Sequence, residues 1–393
     1  MGNKYIDITE DAVVHTYNKA PIVLERGEGV YVYDTDGKEY LDFAAGIAVS
    51  GLGHGCQELN EAMKEQIDKL WHTSNLYYHE ACGDAARGLA KATGLDKVFF
   101  CNSGTEAIEG CLKAARKYAY TKGNGRYEFI AMEDSFHGRT MGALAVTGRE
   151  QYRIPFEPMM PGVSFAKYND LESVKKLVNE KTCAIVLEPL QGEGGINVAD
   201  KDFLKGIRQI CDDEDILLIF DEIQCGMGRT GSMFMWQQVG VKPDLMAMAK
   251  GIGSGMPVGA FAMTDEVAAN SLVPGDHGTT YGGNPLACVA VNKTLELYNQ
   301  KNLVAHVKEV GEYLKKRLEE LVSEFDCVIE QKGLGLLQGI AVKEGIGEII
   351  SKAREEGLLI ISAGSNVLRL VPPLIITCEQ IDEMIEKLKK ALV

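Results

Sequence analysis

The sequence has no apolar stretch close to the length of about 20 residues that a membrane helix needs. Its opening segment, residues 1–21, carries acidic side chains and no apolar core, so we expect no signal peptide. Basic residues are few, 41 against 56 acidic ones, and the net charge of −15 repels phosphate backbones and anionic lipid. We therefore predict neither a nucleic-acid partner nor a membrane partner.

The ten cysteines include no C-x-x-C pair and show no regular spacing. Scattered cysteines in a chain of 393 residues indicate reduced, mostly buried thiols, as in the cytoplasm. The histidines show no metal-binding spacing either, because His79-Glu80 lacks the second histidine of an H-E-x-x-H pattern. These absences predict a cytoplasmic protein without a metal site.

The middle of the chain alternates short apolar runs with amphipathic stretches. The apolar runs that predict strands are residues 98–100, 128–132, 183–187, 216–220 and 245–249, and the helical patterns between them are 106–120, 171–179 and 202–212. Apolar strands separated by helices predict an α/β fold with a mainly parallel sheet buried on both faces. Ligands of such sheets bind at the carboxyl ends of the strands.

The two chain ends have a different pattern. Residues 29–43 alternate apolar and polar side chains around the turn Asp36-Gly37, which predicts an antiparallel hairpin. Amphipathic helices return at 303–323 and 378–392. We predict a large domain at 56–285 and a smaller α+β domain that combines residues 1–55 with residues 286–393.

Two charged residues follow apolar strands and are candidates for chemistry. Lys250 follows the run 244–249 and precedes a glycine-rich loop. Burial at such a position lowers the pKa of an amine and makes it a better nucleophile. A lysine whose charged end reaches solvent fits the same pattern. Asp221 follows the run 216–220 and could bind a metal, cap a helix or pair with the cation of a cofactor.

Two further segments suggest phosphate binding. Residues 102–107 (NSGTEA) lie between a strand and a long helix, where backbone N–H groups and the Thr105 hydroxyl can hold a phosphate or simply cap the helix. Residues 226–231 (GMGRTG) fit the dinucleotide pattern G-x-G-x-x-G. That pattern requires the strand to run directly into the first glycine, whereas residues 221–225 intervene here, so we disfavour a dinucleotide site.

Eight segments of the chain, in order and over nearly its whole length, resemble the class III (ω-amino acid) aminotransferases of fold-type I. These segments are residues 43–54 (FAAGIAVSGLGH), 102–107 (NSGTEA), 135–139 (SFHGR), 188–195 (EPLQGEGG), 221–231 (DEIQCGMGRTG), 249–250 (AK), 278–285 (GTTYGGNP) and 368–373 (LRLVPP). The resemblance implies the fold-type I architecture and pyridoxal 5'-phosphate (PLP) as the cofactor.

The resemblance also implies cofactor-binding roles. Lys250 would bind the PLP aldehyde covalently and then move a proton as base and acid, and Asp221 would hold the pyridinium proton. The other implied positions are Ser103, Gly104 and Thr105 at the phosphate, Phe136 and Ile223 on the two ring faces, Gln224 at the phenolic oxygen, and Thr280 from a neighbouring subunit. The family therefore implies a homodimer whose subunits share their active sites.

Two arginines carry the implied substrate roles. Arg139 would hold the carboxylate far from the reacting amine, and Arg369 the carboxylate adjacent to the reacting carbon of 2-oxoglutarate. An ω-amine substrate offers no carboxylate to Arg369, and the resemblance implies that Glu193 then covers this cation. A permanent structural ion pair is the alternative.

The reaction that the resemblance implies is transfer of the δ-amino group of N-acetyl-L-ornithine to 2-oxoglutarate in arginine biosynthesis. Family members that act on ornithine carry a tyrosine where this chain has Ile47, and an apolar side chain there suits an acetylated amine better than free ornithine. Transfer from 4-aminobutyrate, succinylornithine or another ω-amino acid remains an alternative. A non-catalytic regulator that binds PLP is more remote, because it needs neither Lys250 nor both arginines.

Overall fold

The computed structural model describes residues 3–393. In chain order its strands are β1 (Leu24–Glu28), β2 (Tyr31–Asp34), β3 (Glu39–Asp42), β4 (Lys97–Cys101), β5 (Glu128–Met132), β6 (Val163–Ala166), β7 (Thr182–Leu187), β8 (Leu190–Gln191), β9 (Asn197–Val198), β10 (Leu217–Asp221), β11 (Leu245–Met248), β12 (Gly259–Met263), β13 (Val328–Leu334), β14 (Leu337–Val342), β15 (Leu358–Leu359), β16 (Ile361–Ala363) and β17 (Val367–Leu370). Its helices are α1 (Lys4–Ala12), α2 (Ala45–Ala48), α3 (Gln57–Lys69), α4 (Glu80–Thr93), α5 (Gly104–Thr121), α6 (Met141–Ala145), α7 (Glu150–Arg153), α8 (Leu171–Leu177), α9 (Lys201–Glu214), α10 (Trp236–Val239), α11 (Asp265–Ala269), α12 (Pro285–Gln300), α13 (Leu303–Glu324), α14 (Ile346–Glu355) and α15 (Cys378–Leu392), with 3-10 turns at Ile154–Phe156 and Lys250–Ile252.

The central sheet has seven strands in the order β4-β12-β11-β10-β7-β5-β6. Strand β12 is antiparallel to both neighbours, and the remaining pairs are parallel. Every residue of β7, β10 and β11 is buried, as expected of strands that are covered on both faces. The five predicted strands are confirmed, and so is the mainly parallel α/β sheet. Strands β6 and β12 were missed, because a short apolar run does not distinguish a strand from a buried helix by periodicity.

The parallel strands deliver functional groups to one edge of the central sheet. Strand β10 ends at Asp221, β7 ends directly before Glu188, and β11 ends two residues before Lys250. Strand β4 ends two residues before Ser103, and β5 ends four residues before Phe136. Because the carboxyl ends of parallel strands meet at the same edge, side chains far apart in sequence converge there.

Two smaller sheets come from the chain ends. The hairpin of β2 and β3 pairs Tyr31 with Leu41 and Tyr33 with Glu39, which confirms the predicted hairpin. Strand β15, from near the other end of the chain, pairs in parallel with β3 through Leu358 and Leu41. The other sheet has the order β13-β14-β17-β16 and is antiparallel throughout. The domain boundaries at residues 55 and 285 stay a prediction.

The core is continuous between these parts. Helix α5 buries nine of its side chains or glycines against the central sheet, whereas α9 covers the sheet with Phe203, Leu204 and Ile207. Helices α13 and α15 pack on each other and bury the predicted amphipathic faces at 303–323 and 378–392. Within residues 3–393, we find no helix with both the length and the apolar character needed to cross a bilayer.

Candidate active site

A cavity of about 480 Å³ lies at the carboxyl edge of the central sheet, within the size range of small-molecule sites. Ten of the residues that the sequence singles out line it. They are Ser103, Gly104, Thr105, Phe136, Arg139, Glu193, Asp221, Ile223, Gln224 and Lys250. The three others, Ile47, Arg369 and Thr280, lie outside its lining. The cavity is therefore formed by segments that are far apart in the sequence, with lining residues from Val49 to Val258.

Asp221 forms the buried acidic floor of the cavity. Its Oδ2 lies 2.7 Å from Nδ1 of His137, and its Oδ1 accepts a hydrogen bond of 3.0 Å from the backbone N–H of Ile223. Burial alone would lower the pKa of His137, but the hydrogen bond and the charge of Asp221 outweigh it and raise that pKa. The raised pKa favours a cationic His137, which faces the Asp221 carboxyl at the floor of the cavity.

Sequence reasoning assigned no role to His137. Its side chain is buried with 2% exposure, and its Nε2 has no hydrogen-bond partner among residues 3–393. The position of His137 between Phe136 and Arg139, both of which the resemblance implicates, could have indicated a role for it. The structure places this imidazole in contact with the Asp221 carboxyl.

Lys250 reaches the cavity from a strained turn. It follows β11 and begins the 3-10 turn Lys250–Ile252 with a backbone φ of +47°, a left-handed conformation that costs a non-glycine residue about 1–2 kcal/mol. Burial lowers the pKa of its amine. The carboxylates of Glu193, Asp221 and Glu188 oppose that effect, and Arg369 reinforces it. Lys250 therefore loses its proton at lower pH than an exposed lysine and is a better nucleophile near neutral pH.

The opposite end of the cavity is the start of α5. Ser103 caps this helix by accepting from the backbone N–H of Glu106 at 3.4 Å, and its hydroxyl donates to the Glu106 carboxylate at 2.9 Å. A Cβ on Gly104 would lie 2.8 Å from Cδ1 of Ile223, so only glycine leaves this space open. The exposed N–H groups and the helix dipole make the start of α5 a site for an anion such as a phosphate.

Glu193, Gln224 and Arg369 form one hydrogen-bonded group. Nη1 of Arg369 donates to Oε1 of Glu193 at 2.6 Å and to Oε1 of Gln224 at 3.0 Å. Arg369 is only 2% exposed, so the Glu193 carboxylate is needed to offset the cost of burying its positive charge. Burial would raise the pKa of Glu193, but the charge and the hydrogen bond of Arg369 lower it. In this structure the Gln224 amide serves the ion pair, with its Nε2 3.4 Å from Oε1 of Glu193.

Glu188 is a second buried acid that sequence reasoning quoted within a motif but gave no role. It lines the cavity directly after β7 and accepts a hydrogen bond of 3.1 Å from the backbone N–H of Phe136. Burial raises its pKa to about 8, assisted by the negative charge of Asp221 and opposed by His137. Glu188 is thus largely protonated at neutral pH.

Arg139 presents a cation at the mouth of the cavity. Its guanidinium carbon lies 3.9 Å from the centre of the Tyr152 ring and 5.4 Å from that of the Phe136 ring. Among residues 3–393 it has no carboxylate within salt-bridge distance. Its donors are therefore available to the carboxylate of a ligand, with the planar geometry that suits bidentate pairing.

Ile47 and Thr280 do not reach this cavity within one chain. Ile47 belongs to a turn in which Ala45, Gly46, Ile47 and Ala48 all have positive φ, and its side chain is 44% exposed. It lines a neighbouring cleft together with Arg369. Thr280 is exposed, although the adjacent Thr279 accepts a hydrogen bond of 3.2 Å from Asn102 at the cavity edge.

Comparison with known proteins agrees with this site. The family model described as aminotransferase class-III matches residues 12–392. Acetylornithine aminotransferase of Aquifex aeolicus is 47% identical over 97% of this chain and 99% of its own length. That of Methanocaldococcus jannaschii is 46% identical over 98% of this chain and 96% of its own length. The crystal structure of ornithine aminotransferase from Toxoplasma gondii ME49 is 30% identical and superposes with a TM-score of 0.95 over 100% of this chain and 95% of that one.

The chain belongs to the class III aminotransferases, which have the fold-type I architecture. It is an enzyme that uses pyridoxal 5'-phosphate to transfer an amino group. The cavity fits this cofactor: the start of α5 suits its phosphate, Lys250 suits its aldehyde, and the buried carboxyl of Asp221 suits the nitrogen of its ring. The predicted family, fold class, enzyme class and cofactor are confirmed.

Proposed function

We propose that this enzyme transfers the δ-amino group of N-acetyl-L-ornithine to 2-oxoglutarate, giving N-acetyl-L-glutamate 5-semialdehyde and L-glutamate, a step of arginine biosynthesis. The observation that carries the proposal is the Arg369–Glu193 contact of 2.6 Å beside an Arg139 without a carboxylate partner among the described residues. Glu193 neutralises the charge of Arg369, whereas Arg139 is available to a ligand. An ω-amine substrate with a single distant carboxylate requires this arrangement of charges. The relatives at 46–47% identity are acetylornithine aminotransferases by name, which supports the same substrate.

When bound, PLP supplies an electron sink that stabilises negative charge on the carbon next to the transferred nitrogen. The chain supplies the proton chemistry. The Lys250 amine would hold the cofactor through its aldehyde, and the same nitrogen would take the proton from the substrate carbon. Asp221, whose Oδ2 lies 2.7 Å from Nδ1 of His137, would face the ring nitrogen and favour its protonated form. Phe136 and Ile223 would hold the ring between them, and Ser103, Gly104 and Thr105 its phosphate.

The second half-reaction places different demands on the same residues. 2-Oxoglutarate carries two carboxylates, so Arg139 takes the distal one and Arg369 the one adjacent to the reacting carbon. Glu193 must leave Arg369 for this to occur, and its side chain is partly exposed on the cavity side, with 28% exposure against 3% for that of Arg369. We propose that Glu193 moves while the arginine stays fixed. Gln224, which contacts both side chains, keeps a hydrogen bond to Arg369 in either state.

The substrate assignment is tested by half-reaction kinetics. The holoenzyme is mixed with N-acetylornithine, N-succinylornithine, ornithine or 4-aminobutyrate, and conversion of the cofactor is followed by its visible absorbance. We expect the highest ratio of rate constant to apparent dissociation constant for N-acetylornithine. A higher ratio for 4-aminobutyrate would overturn the substrate assignment and leave the aminotransferase class intact.

The Glu193 switch predicts an asymmetric effect of Glu193→Ala. Without the carboxylate, Arg369 faces the ω-amine substrate as a buried unpaired cation, which costs about 2–5 kcal/mol. We expect the N-acetylornithine half-reaction to slow by at least about tenfold and the 2-oxoglutarate half-reaction to change little. Rapid mixing with each substrate separately measures both, and the exposed Glu150→Ala serves as the control. Equal slowing of the two halves would indicate a permanent structural ion pair instead.

We propose that the enzyme is a homodimer with shared active sites. Apolar side chains are exposed on two adjacent loops that contact each other, since Asn75 Nδ2 donates to the carbonyl of Gly282 at 2.9 Å. The most exposed of these side chains are Trp71, Leu76, Tyr77, Tyr78 and Tyr281. A second copy that covers this surface would also bring Thr280 to the partner's cavity.

We further propose a cytoplasmic location. All ten cysteines have free thiols, which supports this proposal.

A further inference from the structure

A short helix, α7, contacts Arg139, one of the two arginines that we propose bind substrate carboxylates. Tyr152, on α7, is half-buried and lies with its ring centre 3.9 Å from the guanidinium carbon of Arg139. The Phe136 ring, which the cofactor requires, is farther from that guanidinium, at 5.4 Å. Tyr152 is therefore the nearer of the two aromatic faces on which the Arg139 cation rests.

The Tyr152 ring also lies beside Arg149, whose guanidinium carbon is 5.8 Å from the ring centre. Nη2 of Arg149 donates to the backbone carbonyl of Glu193 at 2.5 Å, and its Nη1 lies 3.4 Å from the Tyr152 hydroxyl. The same carbonyl accepts a second hydrogen bond of 2.9 Å from the backbone N–H of Gly364. The aromatic face under Arg139 is thus tied to the turn that carries Glu193.

We propose that Tyr152 is a positioning residue for Arg139 and so determines the preference for substrates with a distal carboxylate. Arg139 has a long, exposed side chain without an acidic partner among the described residues, so in isolation it would sample many rotamers. A planar guanidinium stacked on a fixed ring keeps its N–H edge directed outward for a carboxylate. Tyr152 touches neither the reacting atoms nor the cofactor-binding residue Lys250. Tyr152 acts only by restricting the conformations of the Arg139 side chain.

This inference rests on the proposed function, because it assumes that Arg139 binds the distal carboxylate. It also makes a specific demand on the chemistry of the side chain at position 152. The aromatic face is required and the hydroxyl is not, since the Arg149–Tyr152 contact of 3.4 Å is long for a hydrogen bond. Phenylalanine should therefore replace tyrosine, whereas leucine, of similar apolar character but without a π face, should not.

The test compares Tyr152→Leu with Tyr152→Phe in the holoenzyme. We expect Tyr152→Leu to raise KM for N-acetylornithine and for 2-oxoglutarate by about five- to tenfold, with kcat changed less than about twofold. Its dissociation constant for glutarate, a dicarboxylate without a reacting group, should rise by the same factor in titration calorimetry. Tyr152→Phe should match the unaltered enzyme in each measurement. Phe156→Leu, which removes a nearby exposed aromatic ring, is the matched control and should change nothing.

Two outcomes would overturn the inference. Unchanged glutarate affinity in Tyr152→Leu would show that Arg139 needs no aromatic support. A fall in kcat and thermal midpoint at unchanged KM would show that the ring serves only local stability. Arg139→Gln separates this failure from failure of the proposed function: if Arg139→Gln leaves glutarate affinity unchanged, the distal-carboxylate role itself is wrong. If Arg139→Gln weakens glutarate binding and Tyr152→Leu does not, only the role of Tyr152 is wrong.

Discussion

Lys250→Ala is expected to lose transamination by a factor of about 10⁴ or more, because a single nitrogen provides both the covalent attachment of the cofactor and the proton transfer. The position also explains why no neighbour can substitute. Lys250 is the only lysine that lines the cavity within residues 3–393. Burial lowers the pKa of its amine, which does not happen to an exposed lysine. Single-turnover measurements with N-acetylornithine and with 2-oxoglutarate should both show the loss.

A covalent assay gives an independent readout of the same prediction. Borohydride treatment of the holoenzyme, followed by peptide mapping, should place the pyridoxyl label on Lys250 and nowhere else. The Lys250→Ala protein should carry no label, while Lys242→Ala, which alters an exposed lysine before the same strand, should label and turn over normally. A label on another side chain would refute the assignment even if the activity of Lys250→Ala were low.

Asp221→Asn is expected to produce the second largest loss, about a thousandfold in kcat. The substitution preserves the shape and the hydrogen bond from the Ile223 N–H, but removes the charge that opposes the ring nitrogen of the cofactor. A contact between opposite charges is worth about 4 kcal/mol at the effective dielectric of a protein, which corresponds to about three powers of ten in rate. His137 loses its anionic partner as well, so its pKa should fall below the ordinary histidine value, because burial then dominates.

Direct measurements can separate the charge from the structure at position 221. The histidine titration, followed by NMR, should shift to lower pH in Asp221→Asn. Asp244→Asn is a matched control, because Asp244 precedes the neighbouring strand β11 and pairs with Arg208 at 2.8 Å outside the cavity. Comparable stability of the two variants with loss of activity only at Asp221 is the expected pattern. Equal activity in both would remove the role of the Asp221 charge.

The roles of the individual site residues stay predictions, but their placement can be compared with what the sequence allowed. Ten of the thirteen singled-out residues line one cavity. The contacts inside it were beyond reach of pattern reasoning. His137 and Asp221 are 84 positions apart and Glu193 and Arg369 are 176 apart, and no local periodicity relates such positions.

The sequence by itself determined the order of apolar strands and amphipathic helices, and with it the edge at which Lys250 and Asp221 emerge. Those features depend on hydrophobic periodicity and on strand ends, which are local properties of the chain. Only the tertiary structure decided that His137 contacts Asp221, that Gln224 faces the ion pair, and that Tyr152 lies under Arg139. Such contacts depend on the packing of segments from different strands, because burial and the distance between charges exist only once the chain is folded.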